Sequence, residues 1–122
     1  MRLRVASYNI HRAIGRDGRY EPGRILRVAQ ELNADIIALQ EVDFPRQDHA
    51  PIAPWLAQKT GMIAIGGPVW SREGVGYGNA LLSRYPVDRG RRWDLSVGRH
   101  EPRGALDVEL TICGRTVHVL NT

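Results

Sequence analysis

The sequence predicts an α/β or α+β domain around one mixed β-sheet, with two helices early in the chain and only strands after them. Three observations predict it. Ile36 to Leu39 is an uninterrupted apolar run, rich in β-branched residues, which reads as a strand buried on both faces. Just ahead of it, Ile25, Leu26, Val28, Ala29 and Leu32 recur at helical spacing. Near the end, Leu106, Val108, Leu110 and Ile112 alternate with Asp107, Glu109 and Thr111, the pattern of a half-buried strand. The order β-α-β-α-β followed by a run of strands is that of a mixed-sheet domain.

Each element has its own signal. Arg2 to Ile10 alternates Leu3, Val5 and Ser7 against Arg4, Ala6 and Tyr8, a first strand with Asn9 near its end. Residues 11–21 hold two glycines and three arginines and read as a loop. Pro22 opens the first helix, where its missing N–H costs nothing, and Asn33 stops it. The second strand covers Ala34 to Asp43. A shorter helix from Pro51 to Thr60 packs Ile52, Trp55 and Leu56 and stops at Gly61. Met62 to Ile65 is a third strand, ended by Gly66-Gly67-Pro68, and Val69 to Gly78 a glycine-rich loop. Strands follow at Asn79–Arg84, Arg91–Val97 and Leu106–Ile112, and Gly114-Arg115 makes a hairpin turn into Thr116–Leu120. Trp55 fits a helix core, and Trp70 and Trp93 are expected in the core, with a platform role as the alternative.

Length and composition bound the rest. With 122 residues, 43% hydrophobic and 25% charged, the chain makes one small soluble domain, residues 1–122. Cys113 is the only cysteine, so neither an internal disulfide nor a cysteine metal cage is available. No run reaches membrane-spanning length and the start lacks a signal-peptide core, which points to a cytoplasmic protein. The net charge is +4, and Lys59 is the only lysine among 17 basic residues. Guanidinium groups suit bidentate contact with phosphate. The arginines are scattered, however, which favours GC-rich coding bias over a phosphate-bearing partner as the source of the skew.

Chemistry concentrates at strand ends. Asn9, Glu41 and Asn121 are polar groups there with no evident structural role, and ligands of open α/β sheets bind at the carboxyl ends of strands. A hard cation such as Mg²⁺ takes a carboxylate, an amide oxygen, waters and substrate phosphate, so Asn9 and Glu41 suit one. The plain alternatives are a strand-end cap for Asn9 and half an ion pair for Glu41. His11 stands two residues past Asn9, where it can face the same mouth. His49 and His100 read as solvent-exposed or satisfied, and His118 as structural. Gly74-Val-Gly-Tyr-Gly-Asn79 precedes a strand instead of opening a helix, so it is no dinucleotide loop. Cys113 beside a hairpin turn is a poor nucleophile.

Five motifs together carry a resemblance: Ser7-Tyr-Asn-Ile10, Leu39-Gln-Glu-Val42, Tyr77-Gly-Asn-Ala-Leu-Leu-Ser-Arg-Tyr-Pro86, Glu101-Pro-Arg-Gly-Ala-Leu106 and Val119-Leu-Asn-Thr122. In this order they resemble the amino-terminal half of the endonuclease/exonuclease/phosphatase superfamily, in its bacterial versions. The resemblance implies one half of a two-sheet, DNase I-like α/β sandwich. It also implies a metal-dependent phosphoesterase using Mg²⁺, with Mn²⁺ as substitute, on a nucleic acid, phospholipid or sugar phosphate. By position, Glu41 and Asn9 would be the catalytic metal-side residues, with Arg103, Asn79 and His11 on the substrate side. Specificity would lie in the loops carrying Arg12, Arg16 and Arg19 and residues 66–78.

The family motif continues after Asn121-Thr122 with a histidine, and later with a Gly-Asp-x-Asn motif and a closing Asp-His pair. None of these is in the sequence, so the resemblance implies an inactive fragment of a larger hydrolase; the alternative is a non-catalytic phosphate- or nucleic-acid-binding module. A lone first sheet would also leave one face bare. Roughly 400 Å² of apolar surface at about 25 cal/mol/Å² forfeits on the order of 10 kcal/mol, which predicts a homodimer through that face.

Overall fold

A computed structural model describes residues 2–44, 51–70, 76–99 and 103–122. The observed elements are β1 (Val5–Asn9), α1 (Pro22–Leu32), β2 (Ile36–Phe44), α2 (Ile52–Thr60), β3 (Ile63–Trp70), β4 (Gly76–Ser83), β5 (Val87–Asp94), β6 (Gly104–Ile112) and β7 (Arg115–Asn121). His49, His100, Glu101, Pro102 and residues 71–75 of the glycine-rich loop lie outside the described residues.

The strands form two sheets, not one. The first runs β1-β2-β4-β3, with β1 parallel to β2 and the other pairs antiparallel; the second is the antiparallel meander β5-β6-β7. Ile37, Leu39, Val42, Ala80 and Leu82 turn one face of the first sheet towards α1 and α2, where they meet Ile25, Ala29, Ile52, Ala53 and Leu56. Ile36, Ala38 and Leu81 turn the other face towards Leu106, Val108, Leu110 and Ile112 of β6. The second sheet therefore covers the face expected to be bare. That removes the reason for a dimer there: the strands after Tyr85-Pro86 fold back over the first sheet instead of extending it.

Both helices stop as expected, with Asn33 (φ 45°) and Gly61 (φ 74°) in left-handed conformations. Several boundaries differ, among them that of β4, which begins at Gly76 inside the expected glycine-rich loop. β3 runs through Gly66-Gly67-Pro68 to Trp70; it is an edge strand, the place in a sheet where proline is tolerated. β5 begins at Val87, and as a largely exposed edge strand it carries no alternation to read; Trp93 on it is half exposed and not a core residue. The last hairpin pairs Ile112 with Arg115, so its turn is Cys113-Gly114, both with positive φ (49° and 76°), the two-residue turn that matches strand twist. Among the described residues, no helix is long and apolar enough to cross a membrane.

Candidate active site

Parallel pairing of β1 with β2, in the register Asn9 opposite Gln40, delivers Asn9 and Glu41 to one end of the first sheet. There β2 breaks its alternation. Leu39 pairs with Ala80 and Val42 with Gly78, so Gln40 and Glu41 together oppose the single residue Asn79, a β-bulge. Glu41 is left-handed (φ 53°), a conformation costing a non-glycine residue about 1–2 kcal/mol. The extra residue keeps Val42 on the helix-side core with Leu39 and turns the Glu41 carboxylate outward.

Both carboxylate oxygens of Glu41 are engaged. Asn9 donates its amide Nδ2 to Oε1 at 3.2 Å, and His11 Nδ1 lies 3.2 Å from Oε2. The Asn9 Oδ1 in turn accepts the His11 backbone N–H at 3.1 Å. As placed, Asn9 thus orients the carboxylate and retains one oxygen lone pair for another partner. His11 opens a short 3₁₀ turn, His11–Ala13, in which three consecutive non-glycine residues are left-handed (φ 49°, 56° and 60°). At about 1–2 kcal/mol each, this turn is among the most strained backbone described here.

A cleft of about 150 Å³ opens in front of Glu41, lined by Asn9, Gln40, Tyr77, Asn79, Arg103 and Thr122 among others. The structure therefore gathers Asn9, Glu41, Asn79 and Arg103, and places His11 against Glu41 at the rim. Arg103 is held by its backbone: its N–H donates to Ser96 Oγ at 3.1 Å and its carbonyl accepts the Leu95 N–H at 2.8 Å. Asn79 is buried, and its Nδ2 donates to the Gly104 carbonyl (2.9 Å) and the Asn121 carbonyl (3.2 Å).

Asn121 does have a structural role. It is 2% exposed, and its Nδ2 donates to the carbonyls of Leu39 and Ala80, both at 2.9 Å, the pair that flanks the bulge. Its Oδ1 accepts from Gln40 Nε2 at 2.8 Å. Gln40, Asn79 and Asn121 form an amide layer that floors the cleft where the apolar core between the sheets ends. Sequence reasoning passed over Gln40, Tyr77 and Thr122. The available signal was the break in period 2 at Leu39-Gln-Glu-Val42, which marks a bulge. Beside the cleft, the Arg12 guanidinium lies 5.2 Å from the Tyr77 ring centre and 3.5 Å from Asp43 Oδ1. Partial burial raises the Asp43 carboxyl above its usual range, opposed by Arg12. His118 is exposed on the outer face of the second sheet, 3.8 Å from both Asp107 and Glu109.

With that geometry in place, residues 6–120 match the Endonuclease/Exonuclease/phosphatase family. The chain belongs to this family. Family members are hydrolases acting on phosphoester bonds and generally use divalent metal ions. The chain is 26% identical to the uncharacterized protein YbhP of Escherichia coli over an alignment of 130 positions, spanning 97% of this chain and 51% of YbhP. It thus spans about half the length of the curated relatives it matches. An endonuclease/exonuclease/phosphatase family protein from Leptotrichia buccalis superposes with a TM-score of 0.76 at 12% identity, over 99% of this chain and 53% of that one. The Neisseria 3′ phosphatase NExo, bound to a product DNA hairpin, superposes with a TM-score of 0.56 at 18% identity, over 96% of this chain and 40% of that one. The two sheets and flanking helices match the DNase I-like fold of these neighbours.

The donor set fits a hard divalent cation that keeps most of its waters: an outward carboxylate, the neighbouring Asn9 amide whose oxygen retains one lone pair, and an arginine lining the same cleft for an anion. Among the described residues, no group of three or more His, Cys, Asp or Glu gathers into a metal cage.

Proposed function

We propose that this chain is the cation-holding side of a metal-dependent phosphoesterase, with Glu41 the anchor for Mg²⁺ or Mn²⁺. One observation carries the reading: a strained bulge turns the Glu41 carboxylate out of a buried strand into a cleft that it shares with Arg103. Packing has no use for that arrangement, because an apolar residue in regular register would fill the same strand at lower cost.

The residues divide the work as follows. Glu41 holds the ion, and Asn9 fixes the carboxylate rotamer and offers its amide oxygen. Arg103 takes the substrate phosphate through its guanidinium fork. Asn79, by holding the Gly104 carbonyl, positions Arg103. A bound divalent ion would stabilise negative charge on the phosphoryl and leaving oxygens during in-line attack by water. Because the chain spans about half the length of its curated relatives, it is read as binding cation and phosphate, with hydrolysis belonging to the longer protein. The substrate is a phosphate ester; the DNA product held by the Neisseria neighbour supports a nucleic acid.

Calorimetric titration of the chain with Mg²⁺ and Mn²⁺ tests the anchor. Glu41→Gln should weaken binding by more than roughly tenfold, since losing even the supporting partners of a ligand typically costs 10- to 100-fold. Unchanged binding would remove Glu41 from the site. The second reading, a non-catalytic phosphate- or nucleic-acid-binding module, would draw on the net charge of +4. It requires DNA binding that falls steeply with salt and no cleavage even by the longer protein.

A further inference from the structure

The proposed hydrolysis gives His11 no task, yet the chain strains its backbone to present it. Three left-handed residues in a row, none of them glycine, hold the imidazole against Glu41. The turn is tied down at both ends: Ile10 N–H donates to Gln40 O at 3.1 Å, His11 N–H to Asn9 Oδ1 at 3.1 Å, and Ile14 N–H to His11 O at 3.0 Å. A contact between His11 and Glu41 alone does not account for this, because with side chains 70% and 40% exposed it is screened by water and contributes little.

We propose that His11 is a second cation ligand, through Nδ1, and that it biases the Glu41 site towards Mn²⁺ over Mg²⁺. The proposal rests on the reading of Glu41 as the cation anchor. Two observations carry it. The 3.2 Å between His11 Nδ1 and Glu41 Oε2 is close to the edge of an octahedron with bonds of about 2.1 Å, roughly 3.0 Å, so both atoms fit adjacent positions around one ion. The ring is also exposed and fixed at its root by the Asn9 bond, so it presents a nitrogen without refolding. Imidazole is a softer donor than carboxylate or water and suits transition ions, whereas Mg²⁺ favours oxygen and retains its hydration.

The test uses the chain with Mg²⁺ and Mn²⁺ separately, in wild type, His11→Asn and Glu41→Gln. Asparagine is chosen because it tolerates the left-handed backbone, and a circular dichroism spectrum and urea midpoint matched to wild type check the fold of each variant. The expected result is Mn²⁺ binding about tenfold tighter than Mg²⁺ in wild type, with His11→Asn losing about that factor for Mn²⁺ and leaving Mg²⁺ unchanged. Electron spin-echo spectra of the Mn²⁺ complex should show a nitrogen coupling in wild type that His11→Asn lacks. Equal weakening for both ions overturns the bias towards Mn²⁺, and no weakening for either, or no nitrogen coupling in wild type, overturns the ligand role. If Glu41→Gln leaves Mn²⁺ affinity intact, the anchor reading itself fails. If Glu41→Gln abolishes binding while His11→Asn changes nothing, only the His11 inference falls.

Discussion

Removing the Asn121 side chain should be the most damaging single truncation near the site. Asn121 is 2% exposed, and its amide donates to the Leu39 and Ala80 carbonyls that flank the bulge. A buried carbonyl stripped of its donor costs about 1–3 kcal/mol, and Asn121→Ala strips two and deprives Gln40 Nε2 of its 2.8 Å acceptor. The expected loss is about 3–5 kcal/mol. With a urea slope of about 1–3 kcal/mol/M, the midpoint should fall by roughly 2 M, read by circular dichroism. Asn121→Asp keeps the size and the oxygen facing Gln40, but sets a carboxylate against two carbonyls. Burial and those carbonyls raise its folded pKa, so the variant should recover stability as pH falls and lose it as pH rises. A loss under about 0.5 kcal/mol for Asn121→Ala, the range of an ordinary surface change, would refute the claim that this amide closes the bulge.

Three further outcomes are expected. A β-carbon at Gly90 would run into Ile65 Cδ1 between the sheets, so Gly90→Ala should cost about 1 kcal/mol in urea unfolding, and Ile65→Val in the same chain should recover most of it; independent, additive effects would place the contact elsewhere. The Asp43 carboxyl is raised from 3.8 chiefly by burial, so its ionised form costs stability above that pH. Asp43→Asn should therefore raise the neutral-pH midpoint, with the gain shrinking as pH falls through the raised value and gone once pH is below 3.8, and a less stable variant at pH 7 would show that the Arg12 pair dominates. The Asp17 carboxyl is held below 3.8, first by its hydrogen bond from Arg24. That contribution is present above the unfolded value and lost as pH falls through the lowered one, so Arg24→Gln should flatten the acid limb of the stability curve, and unaltered limbs would mean that the pair contributes nothing.

The elements were legible where local chemistry decides them. Pro22, Asn33 and Gly61 mark helix ends because φ and N–H requirements are properties of single residues. What the sequence hides is partnership. Nothing in Val87–Asp94 says that it pairs with β6 and not with β4, and an exposed edge strand has no buried face to print a period. The same gap turned two sheets into one and created an apolar face that the folded chain does not have. Pro68 shows the converse error: proline ends a central strand, but only the strand order reveals that β3 is an edge.

The site was legible to the same depth. A carboxylate ending a buried apolar run, with an asparagine ending the strand before it, identifies Glu41 and Asn9 from residue type alone, and parallel pairing brings them together. Asn121 looked like a third member of that set because a strand-end amide reads alike whether it faces solvent or backbone. The difference lies in the bulge. Once β2 sets two residues against one, Leu39 and Ala80 present carbonyls inward and Glu41 turns outward, so one irregularity creates both the need for a buried donor and the exposed carboxylate. Asn121 and Glu41 are then two sides of one deformation, and the buried amide is what allows the strand to hold its acid in the cleft. A loosened bulge in Asn121→Ala should therefore also weaken cation binding at Glu41, although Asn121 is bonded away from the cation position. A variant with lowered stability and wild-type Mn²⁺ affinity, measured well below its unfolding temperature, would separate the two roles and break this link.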